Sequence, residues 1–211
     1  MGIHITGVGS YIPSHKEKNQ DFLAHTFLDD SGNPFGADNG EIIEKFKAIT
    51  GIEERRYAKP HQTASDLAFL AAEKAIEDTS LDPETLDYII VAHNFGDIQH
   101  GCIQTDMLPS LATRVKHNLQ IKNPNCVAYD LIFGCPGWVE GVIQAKAFIK
   151  SGMAKRCLVI GADTLSRIAD QNDRDAMIFA DGAGATIIEE TEEAGGLLSH
   201  SSQTYSTEEA F

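Results

Sequence analysis

The sequence predicts an α/β layered domain in which helices pack on a mostly parallel sheet. Three observations carry that expectation. Continuous apolar runs at Tyr88-Ile-Ile-Val-Ala92 and Cys157–Gly161 suit strands buried on both faces. Segments with helical spacing of apolar residues alternate with such runs along the chain. The composition, 42% hydrophobic and 23% charged over 211 residues, is that of a packed globular protein, and no linker divides it.

The elements follow in order. Ile3–Gly9 mixes apolar residues with glycine and reads as a short strand that ends at the Tyr11-Ile12-Pro13 turn. Asp29–Gly40 is rich in Asp, Gly, Asn and Pro and reads as loop. Glu41–Ile49 carries Ile42, Ile43, Phe46 and Ile49 at helical spacing. Thr63-Ala64-Ser65-Asp66 resembles a capping box with the shorter Asp, opening a helix to about Asp78 whose apolar face is Leu67, Leu70, Ala71 and Ala75. Asp82-Pro83-Glu84 is a brief turn before the Tyr88 strand. Pro109–Leu119 is helical, Cys126–Phe133 a buried strand, and Gly137–Lys150 a helix stopped by Ser151-Gly152. Cys157–Gly161 and Ala183–Ile188 complete the strands.

Charge and motif content exclude several classes. Seventeen Lys and Arg against 31 Asp and Glu give a formal charge of −14, which repels nucleic acid unless a basic stripe exists, and none does. No stretch approaches the roughly 18 apolar residues of a membrane span, and the N-terminus has no secretory pattern, so a cytoplasmic protein is expected. The eight histidines are scattered, and no cysteine pair has the spacing of a zinc or redox motif. Aligned on a calcium loop from Asp30, the sequence places Glu41 at the twelfth position, but Pro34 and Phe35 fall where a ligand and the turn glycine belong. It reads as a polar surface loop. Gly7-Val-Gly9 lacks the third dinucleotide glycine, and Asp181-Gly-Ala-Gly-Ala185 reads as close backbone packing. No metal and no cofactor are expected.

The most informative segment is Tyr129-Asp-Leu-Ile-Phe-Gly-Cys-Pro-Gly-Trp138, a strand running through a sharp glycine-proline turn into a helix. Proline suits a first helical turn, because its missing N–H has no partner there anyway. Cys135 then sits at or beside a helix N-terminus, whose partial positive charge favours thiolate over thiol and whose backbone N–H groups can stabilise a thioester oxyanion. The arrangement parallels the turn that presents nucleophilic serine in hydrolases. Cys102, Cys126 and Cys157 lie in strand-like or loop sequence and read as buried structural cysteines. In the helix after Cys135, Gly141 and Ala145 form a narrow face for close packing beside Val142, Phe148 and Ile149.

These residues resemble the N-terminal part of β-ketoacyl-acyl-carrier-protein synthase III enzymes of the thiolase superfamily. The matching pieces are Thr50-Gly-Ile-Glu-Glu-Arg-Arg56, Thr63-Ala-Ser-Asp-Leu-Ala68, Pro109-Ser-Leu-Ala112, Gly134-Cys-Pro-Gly-Trp138, Ile149-Lys-Ser-Gly152, Leu158-Val-Ile-Gly-Ala162, Leu165-Ser-Arg167 and Asp181-Gly-Ala-Gly-Ala185. The resemblance implies a thiolase-like layered fold over residues 1–190, with 191–211 starting a connection to a C-terminal half. It implies an enzyme acylated on Cys135 by a thioester primer. The acyl group then condenses, with loss of carbon dioxide, with malonyl-acyl-carrier protein. The implied partners are acyl-carrier protein, acyl and malonyl thioesters, and a second copy of the chain in a homodimer.

Three departures from the family pattern stand out. The family's histidine and asparagine come from its C-terminal half, and this sequence ends at Phe211; His200 lies outside any matching motif. The family's coenzyme A clamp uses a tryptophan and an arginine where Lys45 and Ile49 stand here, whereas Arg174 matches a further arginine at the adenine end. The segment His93–Met107 is longer than the family's loop and leads to Leu108, which aligns with a side chain that reaches the partner subunit's acyl pocket. Cys135, Arg174 and Leu108 are therefore the candidate site residues. Other readings are a thiolase-fold acyltransferase of secondary metabolism, a non-catalytic partner subunit, against which Cys135 itself argues, and a cysteine hydrolase on the nucleophile alone.

Overall fold

The computed structural model describes residues 1–206; positions 207–211, the end of the expected connection 191–211, lie outside the described residues. In chain order the elements are β1 (Gly2–Tyr11), β2 (His15–Lys18), α1 (Asn39–Thr50), β3 (Glu54–Tyr57), α2 (Ala64–Thr79), β4 (Tyr88–His93), β5 (Asp97–Ile98), β6 (Thr105–Asp106), α3 (Leu111–Asn118), β7 (Val127–Ile132), α4 (Gly137–Lys150), β8 (Arg156–Thr164) and β9 (Asp181–Thr191). Four short 3₁₀ turns join them, one of them at Arg174–Ile178.

The main sheet has the order β1-β9-β8-β4-β7. β8, β4 and β7 pair in parallel, and β9 runs antiparallel to both β8 and β1. Four of the five strands thus point one way, and the mostly parallel sheet holds with β9 as its reversed member. Side chains alternate along the central strands with period two. Ile89, Val91, Leu158 and Ile160 face one core, while Ile90, Cys157 and Val159 face the other. The first core is closed by α2 and α3 through Ala64, Ala68, Ala71, Ala72, Ala75, Leu111 and Val115. The second is closed by α4 through Val142, Ala145 and Ile149. Each fully buried leucine or isoleucine in these layers contributes about 1.5–3 kcal/mol by leaving water.

A smaller cluster of Phe22, Phe27, Ile42, Ile43, Phe46 and Met177 sits under α1. Buried Arg55 runs through it, donating to the Met177 and Glu17 carbonyls and to Asn19 Oδ1, with its guanidinium 5.0 Å from the Phe22 ring centroid.

Most sequence expectations survive with shifted ends. The Thr63 cap forms, with the Asp66 carboxylate accepting from the Thr63 amide at 2.8 Å and from its hydroxyl at 3.1 Å. α1 starts earlier than expected because Asp38 caps it by accepting from Gly40 N at 2.9 Å. Ile49, expected on the apolar face of α1, is 74% exposed, since it stands one turn past the part of the helix that meets Phe22 and Met177. β7 is not a buried strand: it is an edge strand of the sheet, and its ends Val127 and Ile132 are exposed. Cys102 is exposed in the β5–β6 turn rather than buried, whereas Cys126 and Cys157 are buried as expected.

α2 lies so close to β1 that a Cβ at Gly9 would overlap the Ala71 carbonyl oxygen and the Ala75 amide nitrogen. Both are backbone atoms that no rotamer change can clear. Gly9→Ala is expected to cost about 3 kcal/mol, the upper part of the overpacking range. Chemical denaturation of the two proteins measures it; a loss under about 1 kcal/mol would show that α2 shifts freely on the sheet.

Candidate active site around Cys135

The parallel strands β7, β4 and β8 end together, and the site forms in the crevice at their carboxyl ends, where open α/β sheets place ligands. β7 leads through Phe133 into Gly134, which adopts φ +78°, a conformation that favours glycine. The turn closes with Gly137 N donating to Gly134 O at 2.9 Å. Pro136 is the N-cap of α4, one position earlier than a first-turn proline, so Cys135 stands just outside the helix. The Gly137 amide is engaged in closing the turn, so it is not among the N–H groups open to an oxyanion.

Close packing sets the position of α4. A Cβ at Gly137 would stand 3.0 Å from Ala92 Cβ, and one at Gly141 would stand 2.7 Å from Val159 Cγ1. Glycine at these two positions lets the helix lie directly on β4 and β8, with Cys135 held above their ends.

Cys135 is exposed and lines a shallow cavity of about 220 Å³ with Ala92, Gly134, Trp138, Gly161, Asp163 and Gly182 among its walls. Asp163, which sequence reasoning passed over, is the titratable neighbour in that cavity. Its two oxygens accept from Asn94 N at 2.9 Å and Asn94 Nδ2 at 2.7 Å. Burial pushes its carboxyl above the ordinary aspartate value, against the opposing effect of those hydrogen bonds. The available signal was an aspartate directly after the apolar run Cys157–Ala162.

His93 is buried and committed. Its Nδ1 accepts from Gly96 N at 2.9 Å, so its Nε2–H donates to Asp130 Oδ2 at 3.1 Å. Asp130 also accepts from the Leu111 and Ala112 amides at the start of α3.

Arg174 and Cys135 line different cavities. Arg174 borders a larger one of about 540 Å³ together with Phe35, Lys45, Phe46, Ile49 and Met177. Its guanidinium carbon lies 4.8 Å from the Phe35 ring centroid. Phe35 belongs to the loop read from sequence as merely polar; an aromatic residue amid Asp, Gly and Asn was the sign available. The two cavities share one stretch of chain, because Met177 and Ile178 border the larger while Ala180 and Gly182 border the smaller. Leu108 is 85% exposed, joins Pro109 through a cis peptide bond, and lines neither cavity. No group of three or more His, Cys, Asp or Glu able to hold a metal occurs among the described residues. None of the described helices is long and apolar enough to cross a membrane.

Comparison with known proteins gives a consistent set of relatives. Residues 129–206 match the family model of 3-oxoacyl-[acyl-carrier-protein] synthase III. The chain is 39% identical over 197 residues to β-ketoacyl-[acyl-carrier-protein] synthase III 1 of Vibrio vulnificus, covering 93% of this chain and 55% of that protein. It is 38% identical over 201 residues to the β-ketoacyl-[acyl-carrier-protein] synthase III of Staphylococcus haemolyticus, covering 95% and 57%. Among solved structures, 3-oxoacyl-[acyl-carrier-protein] synthase III from Aquifex aeolicus superposes with a TM-score of 0.73 at 32% identity, covering 91% of this chain and 55% of that one. A priming β-ketosynthase of a polyketide biosynthetic pathway superposes with a TM-score of 0.73 at 25% identity, covering 92% and 51%. The chain spans about half the length of the curated relatives it matches, and it belongs to the 3-oxoacyl-[acyl-carrier-protein] synthase III family.

Proposed function

We propose that this chain carries the acyl-accepting half of a condensing acyltransferase of the β-ketoacyl-acyl-carrier-protein synthase III type, in fatty acid or polyketide-like biosynthesis. The supporting observation is Cys135: an exposed thiol at a strand-to-helix turn, above the ends of three parallel strands, in an open cavity. In the first step the Cys135 thiolate attacks the carbonyl of an acyl thioester. The tetrahedral intermediate collapses by expelling the carrier thiolate, which takes up a proton, and leaves an acyl-Cys135 thioester. In the second step the acyl group passes to the carbanion formed when malonyl-acyl-carrier protein loses carbon dioxide, and the Cys135 thiolate is released. By resemblance the histidine and asparagine that stabilise that carbanion come from the family's C-terminal half, so residues 1–190 supply the nucleophile and its cavity. The setting is the cytoplasm, where carrier proteins and thioesters of this kind are soluble substrates.

Incubation with an acyl thioester is expected to add one acyl mass to the Cys135 peptide, and Cys135→Ala to abolish the addition with the fold intact. Label on Cys102 in place of Cys135 would overturn the assignment; Cys102 is the other exposed thiol among the described residues.

Acyl-carrier protein is the favoured primer carrier in this reading. Lys45 and Ile49 border the larger cavity where the family's flat aromatic and cationic clamp stands, and the face of Arg174 is already occupied by Phe35. An adenine ring would have to displace that pair, giving up an interaction of about 0.5–2 kcal/mol. The rate constant for Cys135 acylation should therefore be about tenfold lower from a coenzyme A thioester than from the same acyl group on carrier protein. A clear preference for coenzyme A would mean that Phe35 and Arg174 open to form the clamp themselves.

A second copy of the chain is the remaining partner. β7 is an open sheet edge with exposed Val127, Ile132 and Phe133 and no lysine or proline among its six residues, and Leu108 is nearly fully exposed. Unguarded apolar edges pair with other strands. Ile132→Glu should shift sedimentation from dimer to monomer at micromolar concentration; a variant that remains dimeric would place the interface elsewhere.

A further inference from the structure

The half-buried pair Asp163–Asn94 has no part in the chemistry described above, yet it sits beside the turn that carries Cys135. Asp163 stands next to last in β8 at the wall of the Cys135 cavity, and Asn94 follows the last residue of β4. The pair is bidentate, one carboxylate oxygen on the Asn94 backbone amide and the other on its side-chain amide. That use of Nδ2 fixes which way the carboxamide points: Oδ1 is turned to Gly134, where a Cβ would stand 3.8 Å from it. Gly134 is the residue whose φ of +78° sends the chain into Cys135. The ends of β8 and β4 are thereby joined through one carboxylate and one carboxamide, and the free oxygen of that carboxamide borders the turn after β7.

We propose that Asp163 is a positioning residue for Cys135, acting through Asn94 to hold the Gly134 turn so that the thiol stays at the α4 N-terminus. The proposal rests on the reading of Cys135 as the acyl acceptor. Asp163 has the location expected of such a support. Desolvation raises its carboxyl above the ordinary aspartate value, nearby Asp181 adds to that, and the two Asn94 donors are what keep a charge there tolerable. Supports of this kind matter because displacement of a reacting atom by about 1 Å can cost about a hundredfold in rate.

A reciprocal exchange separates positioning from charge and from simple folding. Asp163→Asn alone either sets two amide nitrogens face to face or turns the Asn94 carboxamide over so that its Nδ2 meets Gly134, and Asn94→Asp alone sets two carboxylates face to face. Combining the two substitutions restores both hydrogen bonds. The carboxamide then at position 163 donates through its nitrogen to the carboxylate at position 94, and its oxygen keeps the backbone amide of position 94. The readout is the rate of Cys135 alkylation by iodoacetamide relative to Cys102 in the same molecule, followed by acylation with an acetyl thioester of N-acetylcysteamine. Buried Cys126 and Cys157 report unfolding if they become labelled. Each single variant should lower the Cys135 to Cys102 ratio about tenfold, and the double exchange should recover it to within about threefold. Single variants with an unchanged ratio would overturn the proposal. So would Asp163→Asn speeding Cys135 while Asn94→Ala leaves it alone, since the carboxylate would then act on the thiol by charge. A double exchange no better than the singles, with Cys126 and Cys157 still protected, would overturn it equally. Failure of wild-type Cys135 to accept acetyl, with its alkylation still sensitive to the pair, would sink the acyl-acceptor reading and leave the positioning intact.

Discussion

The seating of α4 on β4 and β8 is the constraint on which the site depends. At Gly137 and Gly141 there is no room for even a methyl group without pushing on Ala92 or Val159. A helix this close to the sheet has its N-terminus fixed relative to the strand ends, and Cys135, one residue before the cap, inherits that precision. The same closeness explains why the cavity beside Cys135 is shallow: Trp138 crosses above Gly161, where a Cβ would stand 3.3 Å from its own Cβ. Larger residues at these positions would have filled the second core better, but only by lifting the helix. Close approach here serves placement of the thiol more than burial of apolar area.

A second layer of order comes from aspartates that act as internal acceptors. Asp130 holds His93 and the first amides of α3. Asp181, at the start of β9, accepts from the Ala58 amide and from both the amide and hydroxyl of Ser166. Asp97 accepts from the Ser65 amide and hydroxyl and pairs with Arg114 at 2.7 Å. Each is a strand residue tying down a loop or helix start that periodicity would leave floating. Buried carboxylates are costly unless fully satisfied, and these have two or more donors apiece. An excess of acidic residues therefore describes more than a solvated surface in this protein.

What the sequence makes legible follows from where the physics is local. The Tyr88–Ala92 run, the Thr63 cap and the Gly134–Gly137 turn are written in adjacent residues, and all three are found in place. Strand direction is not local. Nothing in Ala183–Ile188 distinguishes a parallel from an antiparallel neighbour, so β9 enters as one more strand and only the sheet shows it reversed. The β2–β3 pair was invisible because His15–Lys18 and Glu54–Tyr57 are short and largely charged, and their partnership spans the whole of α1. The strand-to-helix turn that carries Cys135 was legible from its flanking glycines and proline. The pairing of Asp163 with Asn94 was not, because it is a contact across 69 residues of sequence.

The two cavities become one system through the chain between Arg174 and Gly182. Arg174, Met177 and Ile178 border the larger cavity, and Ala180 and Gly182 border the one that holds Cys135. Two anchors fix that stretch. At one end Asp181 binds it to Ala58 and Ser166, and at the other the Met177 carbonyl accepts from buried Arg55 at 3.0 Å. Arg55 is an expensive residue to bury, and here three acceptors and the faces of Phe22 and Phe46 offset the lost hydration. It belongs to the Thr50–Arg56 segment, far in sequence from both the cysteine and Arg174. A residue outside either cavity thus sets the spacing between the place where Phe35 and Arg174 meet and the place where the thiol waits. The wall common to both is held from behind, by charge and aromatic packing, rather than by anything a thioester would touch.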